Sequence, residues 1–209
     1  VRIPPGRGVR RAHLIGCCLF VWIVGGIAHA ATYTVTSAAN SGTGTLRWAI
    51  NRANDHSGPD TIRFDPALMR AVIRPRTLLP YIRDDGTTID GDIDGDGDPD
   101  VVINGRRIAD PDTGLWVYAA DNCVIAGLVI AEFDTGIFLY PSSGTLVRSC
   151  HLGTNLAGTA PRPCGMGVEL NYADGNRVGD GTWRGRNVIA ASGTGIYLYG
   201  SDDNVIAGN

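Results

Sequence analysis

Gly136-Ile137-Phe138-Leu139-Tyr140, Gly167-Val168-Glu169-Leu170-Asn171 and Gly195-Ile196-Tyr197-Leu198-Tyr199 are one pattern written three times. Its recurrence, at spacings of 31 and 28 residues, decides the fold. A second series runs alongside: Asn122-Cys123-Val124-Ile125-Ala126-Gly127, Asn187-Val188-Ile189-Ala190 and Asn204-Val205-Ile206-Ala207-Gly208-Asn209. A third lies between them, Thr145-Leu146-Val147 and Asn176-Arg177-Val178-Gly179. Short β-branched runs separated by Gly, Asn and Asp, at a period of roughly 30 residues, describe a coil that bends several times per rung. One rung cannot bury its inward side chains alone. Rungs stacked about 4.8 Å apart pair their backbones and build one long core. Ile137, Val168 and Ile196 are expected in one internal column and Leu139, Leu170 and Leu198 in the next, with Glu169 and Tyr197 facing outward. Corner Asn residues tolerate left-handed turns and can bond their counterparts in a ladder. An antiparallel sandwich alternates its residues too, but it need not repeat at a fixed period. The expected class is all-β, a right-handed parallel β-helix.

Toward the N-terminus the pattern changes. Within Thr45-Leu46-Arg47-Trp48-Ala49-Ile50-Asn51-Arg52-Ala53-Asn54, the residues Leu46, Ala49, Ile50 and Ala53 fall on one helical face. Thr43 or Thr45 can cap its start, and Gly58-Pro59 is expected to stop it. Strands are expected on either side, over Thr32 to Thr36 and Thr61 to Phe64. A solenoid end exposes core and strand edges, so this helix sits where a cap belongs. The sequence stops at Asn209 inside a repeat and reads as a piece of a longer chain.

Residues 1–30 read as a secretory signal peptide: Arg2, Arg7, Arg10 and Arg11, then the apolar run from Leu14 to Ile27, then Ala28-His29-Ala30. The apolar run has 14 residues with Gly25 and Gly26 inside it, and a membrane span needs about 20. Cleavage after Ala30 is therefore expected, with no span left afterwards. Cys17 and Cys18 precede most of the apolar run rather than follow it, so they read as leader filling. The leader carries four of the 18 basic residues and no acid, leaving 14 against 21, a formal charge of −7. Every basic residue is Arg. This balance, without a basic patch, argues against nucleic acid and anionic membrane surfaces. It favours cations and neutral glycans. The domain plan is thus 1–30 signal peptide, 31–65 cap with helix, and 66–209 β-helix repeats. Beyond the leader stand Cys123, Cys150 and Cys164: export permits a disulfide, and an odd count leaves one thiol over.

Two segments carry a resemblance. His151-Leu152-Gly153-Thr154-Asn155 with Gly158-Thr159, followed by Asn176-Arg177-Val178-Gly179-Asp180-Gly181 and Asn187-Val188-Ile189-Ala190, resembles the bacterial right-handed parallel β-helix repeat proteins. Ser41-Gly42-Thr43-Gly44-Thr45-Leu46-Arg47-Trp48-Ala49-Ile50 is similar to the CSLREA-type N-terminal region of such surface proteins. Gly44, Thr45 and Trp48 stand where that region has Cys, Ser and Glu. The resemblance implies a secreted or cell-surface β-helix. It leaves function open, because the fold hosts adhesins and polysaccharide enzymes alike.

The densest chemistry is Asp90-Gly91-Asp92-Ile93-Asp94-Gly95-Asp96-Gly97-Asp98-Pro99-Asp100. Alternate carboxylates with a Gly bend form the start of a calcium loop, so Asp92, Asp94, Asp96, Asp98 and Asp100 are candidate Ca²⁺ ligands. An EF-hand would need a Glu where Ile103 stands. The competing reading is a solvated acidic turn between strands Thr87–Ile89 and Val101–Ile103. Tyr140, Tyr172, Tyr197 and Tyr199 are candidates for a sugar-stacking face, and Trp183 for a binding loop. Asp202-Asp203 reads as a turn before Asn204, and His151 as structural. The pectinase signatures Gly-His-Gly, Asn-Thr-Asp and Arg-x-Lys do not occur. The leading expectation is a structural or adhesive module, calcium-stabilised, with extracellular glycans as partners. The alternative is a polysaccharide lyase, epimerase or hydrolase.

Overall fold

The computed structural model describes residues 29–209. The leader up to residue 28 lies outside them. The chain winds through three parallel sheets. A seven-stranded sheet holds, in order, β1 (Thr32–Val35), β2 (Thr61–Phe64), β4 (Thr88–Asp90), β7 (Val124–Ala126), β10 (Leu146–Arg148), β13 (Arg177–Val178) and β16 (Val205–Ile206). A five-stranded sheet holds β3 (Val72–Ile73), β5 (Val101–Asn104), β8 (Leu128–Ala131), β11 (His151–Leu152) and β14 (Val188–Ile189). A four-stranded sheet holds β6 (Thr113–Tyr118), β9 (Thr135–Tyr140), β12 (Met166–Asn171) and β15 (Thr194–Tyr199). From β4 onward each rung visits the three in that order, so neighbouring strands lie one full turn apart in sequence; before it, β1 reaches β2 through a helix, and β2 reaches β4 through β3 alone. The result is a right-handed parallel β-helix.

The register follows the sequence pattern. Val168 pairs with Ile137 on one side and Ile196 on the other, and Leu170 with Leu139 and Leu198. The inward columns form one continuous apolar core, from Val35 and Ile62 through Ile89, Ile125 and Val147 to Val178. Corner Asn side chains tie rung to rung. Asn176 Oδ1 accepts from Thr145 N at 2.8 Å while its own N–H donates to Asn204 Oδ1 at 2.8 Å. Asn187 Oδ1 accepts from Cys150 N at 3.0 Å, and its amide donates to Asn209 Oδ1 at 2.8 Å. The bond that leaves the strand at each corner would otherwise be orphaned inside the stack. Gly127, φ +64°, makes the one-residue bend between β7 and β8, and a Cβ there would collide with Asp92 N.

Helix α1 (Leu46–Asn54) packs Leu46, Ala49, Ile50 and Ala53 into the core against β1 and β2. Thr45 is its cap: the hydroxyl accepts from Trp48 N at 3.2 Å. The helix ends earlier than the Gly58-Pro59 stop expected from sequence. Asp55 closes it with backbone bonds to Asn51 and Ala53, since Asp favours a terminus over a helix interior. No helix among the described residues is long and apolar enough to cross a membrane.

Candidate functional site

The four-stranded sheet turns its inward residues to the core and its outward ones to solvent; on β6, β9 and β15 the outward ones are aromatic, and on β12 they are Glu169 and Asn171. Trp116 stands beside Phe138 at 4.9 Å between ring centroids, Tyr118 beside Tyr140 at 6.1 Å, and Tyr140 beside Tyr172 at 6.2 Å. Tyr172 meets Tyr199 at 5.5 Å. At the other end Tyr81 stacks on Trp116 at 4.4 Å, where Ile82 bridges to Val117. Parallel register sets Trp116 beside Phe138 and Tyr118 beside Tyr140, while on the next rung Tyr172, one residue past β12, supplies the ring between Tyr140 and Tyr199. Tyr81, Tyr118, Tyr172 and Tyr199 keep much of their surface exposed.

Where this sheet turns back to the seven-stranded one, carboxylates form a second line. Asp85 accepts from Asp121 N at 2.9 Å, Asp121 from Ser143 N at 2.7 Å, and Asp174 from Asp202 N at 2.7 Å. Each spends one oxygen on the next rung's backbone. A recess of about 320 Å³ opens here, between Asp121, Ser142, Ser143, Tyr172 and Asp174. It sets an aromatic face beside hydroxyls and carboxylate oxygens, the combination that stacks on a sugar ring and accepts its hydroxyl protons.

The Asp-rich loop joins β4 to β5. Asp92, Asp94 and Asp100 bring one oxygen each to within 4.8 Å of one another. Asp96 and Asp98 do not join this group; Asp96 Oδ1 accepts from Asp98 N at 2.8 Å in a turn of its own. Asp92 holds the loop's shape: Oδ1 accepts from Gly95 N at 2.8 Å and Oδ2 from Gly97 N at 3.0 Å. Partial burial pushes its carboxyl up, against the pull of those two amides.

The remaining candidates are scattered. Tyr140, Tyr172 and Tyr199 lie in the ladder, while Tyr197 is the register partner of Glu169. Trp183 is exposed, with the Arg186 guanidinium 3.8 Å over its ring. His151 is half-enclosed and its Nδ1 lies 3.0 Å from Leu156 O; burial pushes its pKa down, against the pull of that carbonyl. Asp203 takes φ +56° in the turn before Asn204. The disulfide that export would permit does not form among the described residues: Cys123, Cys150 and Cys164 are all free and buried. Burial pushes the Cys123 and Cys150 thiols up to about 12, which leaves them inert as nucleophiles or soft ligands.

Sequence reasoning missed Tyr81, Trp116, Tyr118, Phe138, Asp121 and Asp174. A signal existed for three of them. Gly114-Leu115-Trp116-Val117-Tyr118 is a fourth copy of the repeated pentapeptide, and its two aromatics occupy the outward places that Phe138 and Tyr140 occupy one rung later.

Residues 69–209 match the family model described as periplasmic copper-binding protein (NosD). No curated protein matches the chain.

Proposed function

Given that the chain belongs to the periplasmic copper-binding protein (NosD) family, we propose that it is an exported structural and adhesive β-helix that holds polysaccharide along its aromatic ladder. The observation that carries this reading is the continuity of the ladder. Tyr81, Trp116, Tyr118, Phe138, Tyr140, Tyr172 and Tyr199 make an unbroken series of ring contacts across successive rungs, bridged at the β12 rung by Tyr172 just past the strand. A chain of sugars is itself a ladder of flat faces, and a row of rings meets it at several points at once. Weak contacts then add through effective concentration. The acidic charge and the Asp121–Asp174 recess favour a neutral glycan, whose hydroxyls donate to those oxygens.

Copper, which the family's description names, asks for imidazole, thiolate or thioether donors. The donors gathered here are of another kind. Among the described residues the group of three or more His, Cys, Asp or Glu able to share an ion is Asp92, Asp94 and Asp100, an all-oxygen set suited to a hard cation. The buried cysteines and the isolated His151 do not fit a copper site. Calcium at the Asp loop is the structural ion of this proposal, and the CSLREA-like segment around α1 is the solenoid's cap.

The test is retention on a panel of insoluble neutral polysaccharides, wild type against Tyr118→Ala/Tyr172→Ala. Both rings are exposed, so the fold should survive. Each stacked ring is worth roughly 0.5–1.5 kcal/mol, so the double variant should bind about tenfold more weakly. Equal retention would remove the ladder from the binding reading. New reducing ends released from the polysaccharide would turn the assignment to the enzyme alternative.

A further inference from the structure

Asp60 is a fully buried carboxylate, 0% exposed, in the loop between α1 and β2. A charge taken out of water needs an opposite charge or several donors. Asp60 has two partners. His56 Nδ1 lies 3.0 and 3.1 Å from its two oxygens, and the Ala31 nitrogen donates to Oδ1 at 2.7 Å. The surroundings make the shortage worse. Asp84 sits close by, its carboxyl pushed up first by burial and then by the charges of Asp60 and Asp85, with His56 and a bond from Gly58 pulling back. The Asp84 Oδ2 atom is buried without a hydrogen-bond partner. Asp55 and Arg52 at the helix end, and Tyr33 on β1, complete the charged and titratable neighbours. Among the described residues the ion pair within 4.0 Å is His56–Asp60, so Arg52 does not neutralise the cluster.

The missing positive charge has a source in the chain itself. Ala31 is the first residue after Ala28-His29-Ala30, the small-residue site at which a signal peptide is cut. We propose that processing between Ala30 and Ala31 leaves an α-ammonium group on Ala31 that ion-pairs with Asp60 and locks β1 onto the end of the solenoid. The signal peptidase spends one water on the peptide bond. Ala30 leaves with the carboxylate, and the Ala31 nitrogen, formerly an amide with one N–H, becomes an ammonium with three. The nitrogen need not move. Ala31 O accepts from Thr61 N at 2.8 Å and Thr32 pairs with Thr61, so the strand and not the leader fixes its place. This ion pair does not depend on any bound polysaccharide.

The absence of Lys makes the test clean, since an amine-acetylating reagent can mark only the α-amino group. Exported protein is purified, its start is read by intact mass, and acetylation is followed at neutral pH in native and urea-unfolded samples. The chain should begin at Ala31. Every unit by which the ion pair raises the ammonium pKa above its usual ~7.7–8.0 lowers the reactive free amine about tenfold, so native protein should react about that much more slowly. Asp60→Asn keeps the shape and removes the charge, and its native protein should acetylate nearly as fast as unfolded chain. Should that variant fail to fold, a chain with one extra Ala before Ala31 displaces the ammonium and carries the same expectation. The sign of the pH effect follows: the pair's stabilisation is intact below about pH 8 and is lost as pH rises through the raised folded value. A start at another residue, equal native and unfolded rates, or an unchanged rate in both variants would overturn the proposal.

Discussion

Ile137 is covered by Leu115 on one side and Val168 on the other, and is fully buried. Ile137→Ala should therefore cost about 2–5 kcal/mol, the range for emptying a packed site. Chemical denaturation checks it, and a loss within about 0.5 kcal/mol, as at an exposed site, would contradict the column. His151 gives a second residue-scale expectation. Burial depresses its pKa in the folded chain, so the unfolded chain binds the proton first. The stability that neutral His151 preserves is present above its unfolded value of about 6.5 and is lost as pH falls through the lower folded value. His151→Gln should flatten the pH dependence of the melting temperature below about pH 6.5. An unchanged slope would assign that dependence to the carboxylates.

Elements were readable where one local signal decided them. Helix α1 is legible from its apolar face, and its cap only as Thr43 or Thr45, of which the structure uses Thr45. Thr45→Ala should cost about 1 kcal/mol, read as a lower unfolding midpoint with an unchanged slope. The β-strands were readable through repetition, since each is too short to declare itself: β13, β14 and β16 have two residues apiece. Which outward residues would meet was harder to see. Trp116 and Phe138 are 22 apart in sequence, whereas the repeats that exposed the pattern are about 30 apart, so this rung escaped notice. The Asp loop was readable as a loop but not in its membership. Five alternating acids look equivalent on paper, and only folding shows that the chain turns after Asp94 and returns at Asp100, leaving Asp96 and Asp98 outside. Register itself is testable at the outward pair Glu169 and Tyr197. Parallel neighbours lie ~4.8 Å apart, within the reach of a disulfide. Glu169→Cys with Tyr197→Cys should cross-link on oxidation, and the three native thiols are buried away from it. Failure to link in folded protein would mean the register is wrong.

For the whole molecule, the Asp loop matters because of what it touches. It leaves the solenoid between β4 and β5, and a second loop leaves three rungs later between β13 and β14. The corners between them are short, Gly127 at one rung and Ser149-Cys150 at the next, so the two loops lean over them and meet. Arg184 Nη1 donates to Gly95 O at 3.3 Å, and the Arg184 side chain packs at Gly97. Arg184 O in turn accepts from the Ser149 hydroxyl at 2.8 Å. A solenoid is held mainly by nearest-neighbour contacts, and this clasp joins rungs that are not neighbours. An ion bound by Asp92, Asp94 and Asp100 would stiffen one half of the clasp and offset the repulsion among the loop's carboxylates in a chain of formal charge −3. Calcium should therefore act on global unfolding. A ligand at a hundred times its Kd adds about 2.7 kcal/mol, which for a domain of this size raises the melting temperature by roughly 5–10 °C. Magnesium should do less, since it dehydrates reluctantly and demands a stricter octahedron, and cupric ion should not reproduce the effect. Asp94→Ala/Asp100→Ala should abolish the rise while leaving Asp92 to hold the turn through Gly95 and Gly97. Thermal unfolding of exported protein with chelator, calcium, magnesium or cupric ion, and of the double variant with calcium, measures all four arms. Identical melting with and without calcium, or an equal rise in the double variant, would leave the loop as an acidic turn satisfied by its own backbone.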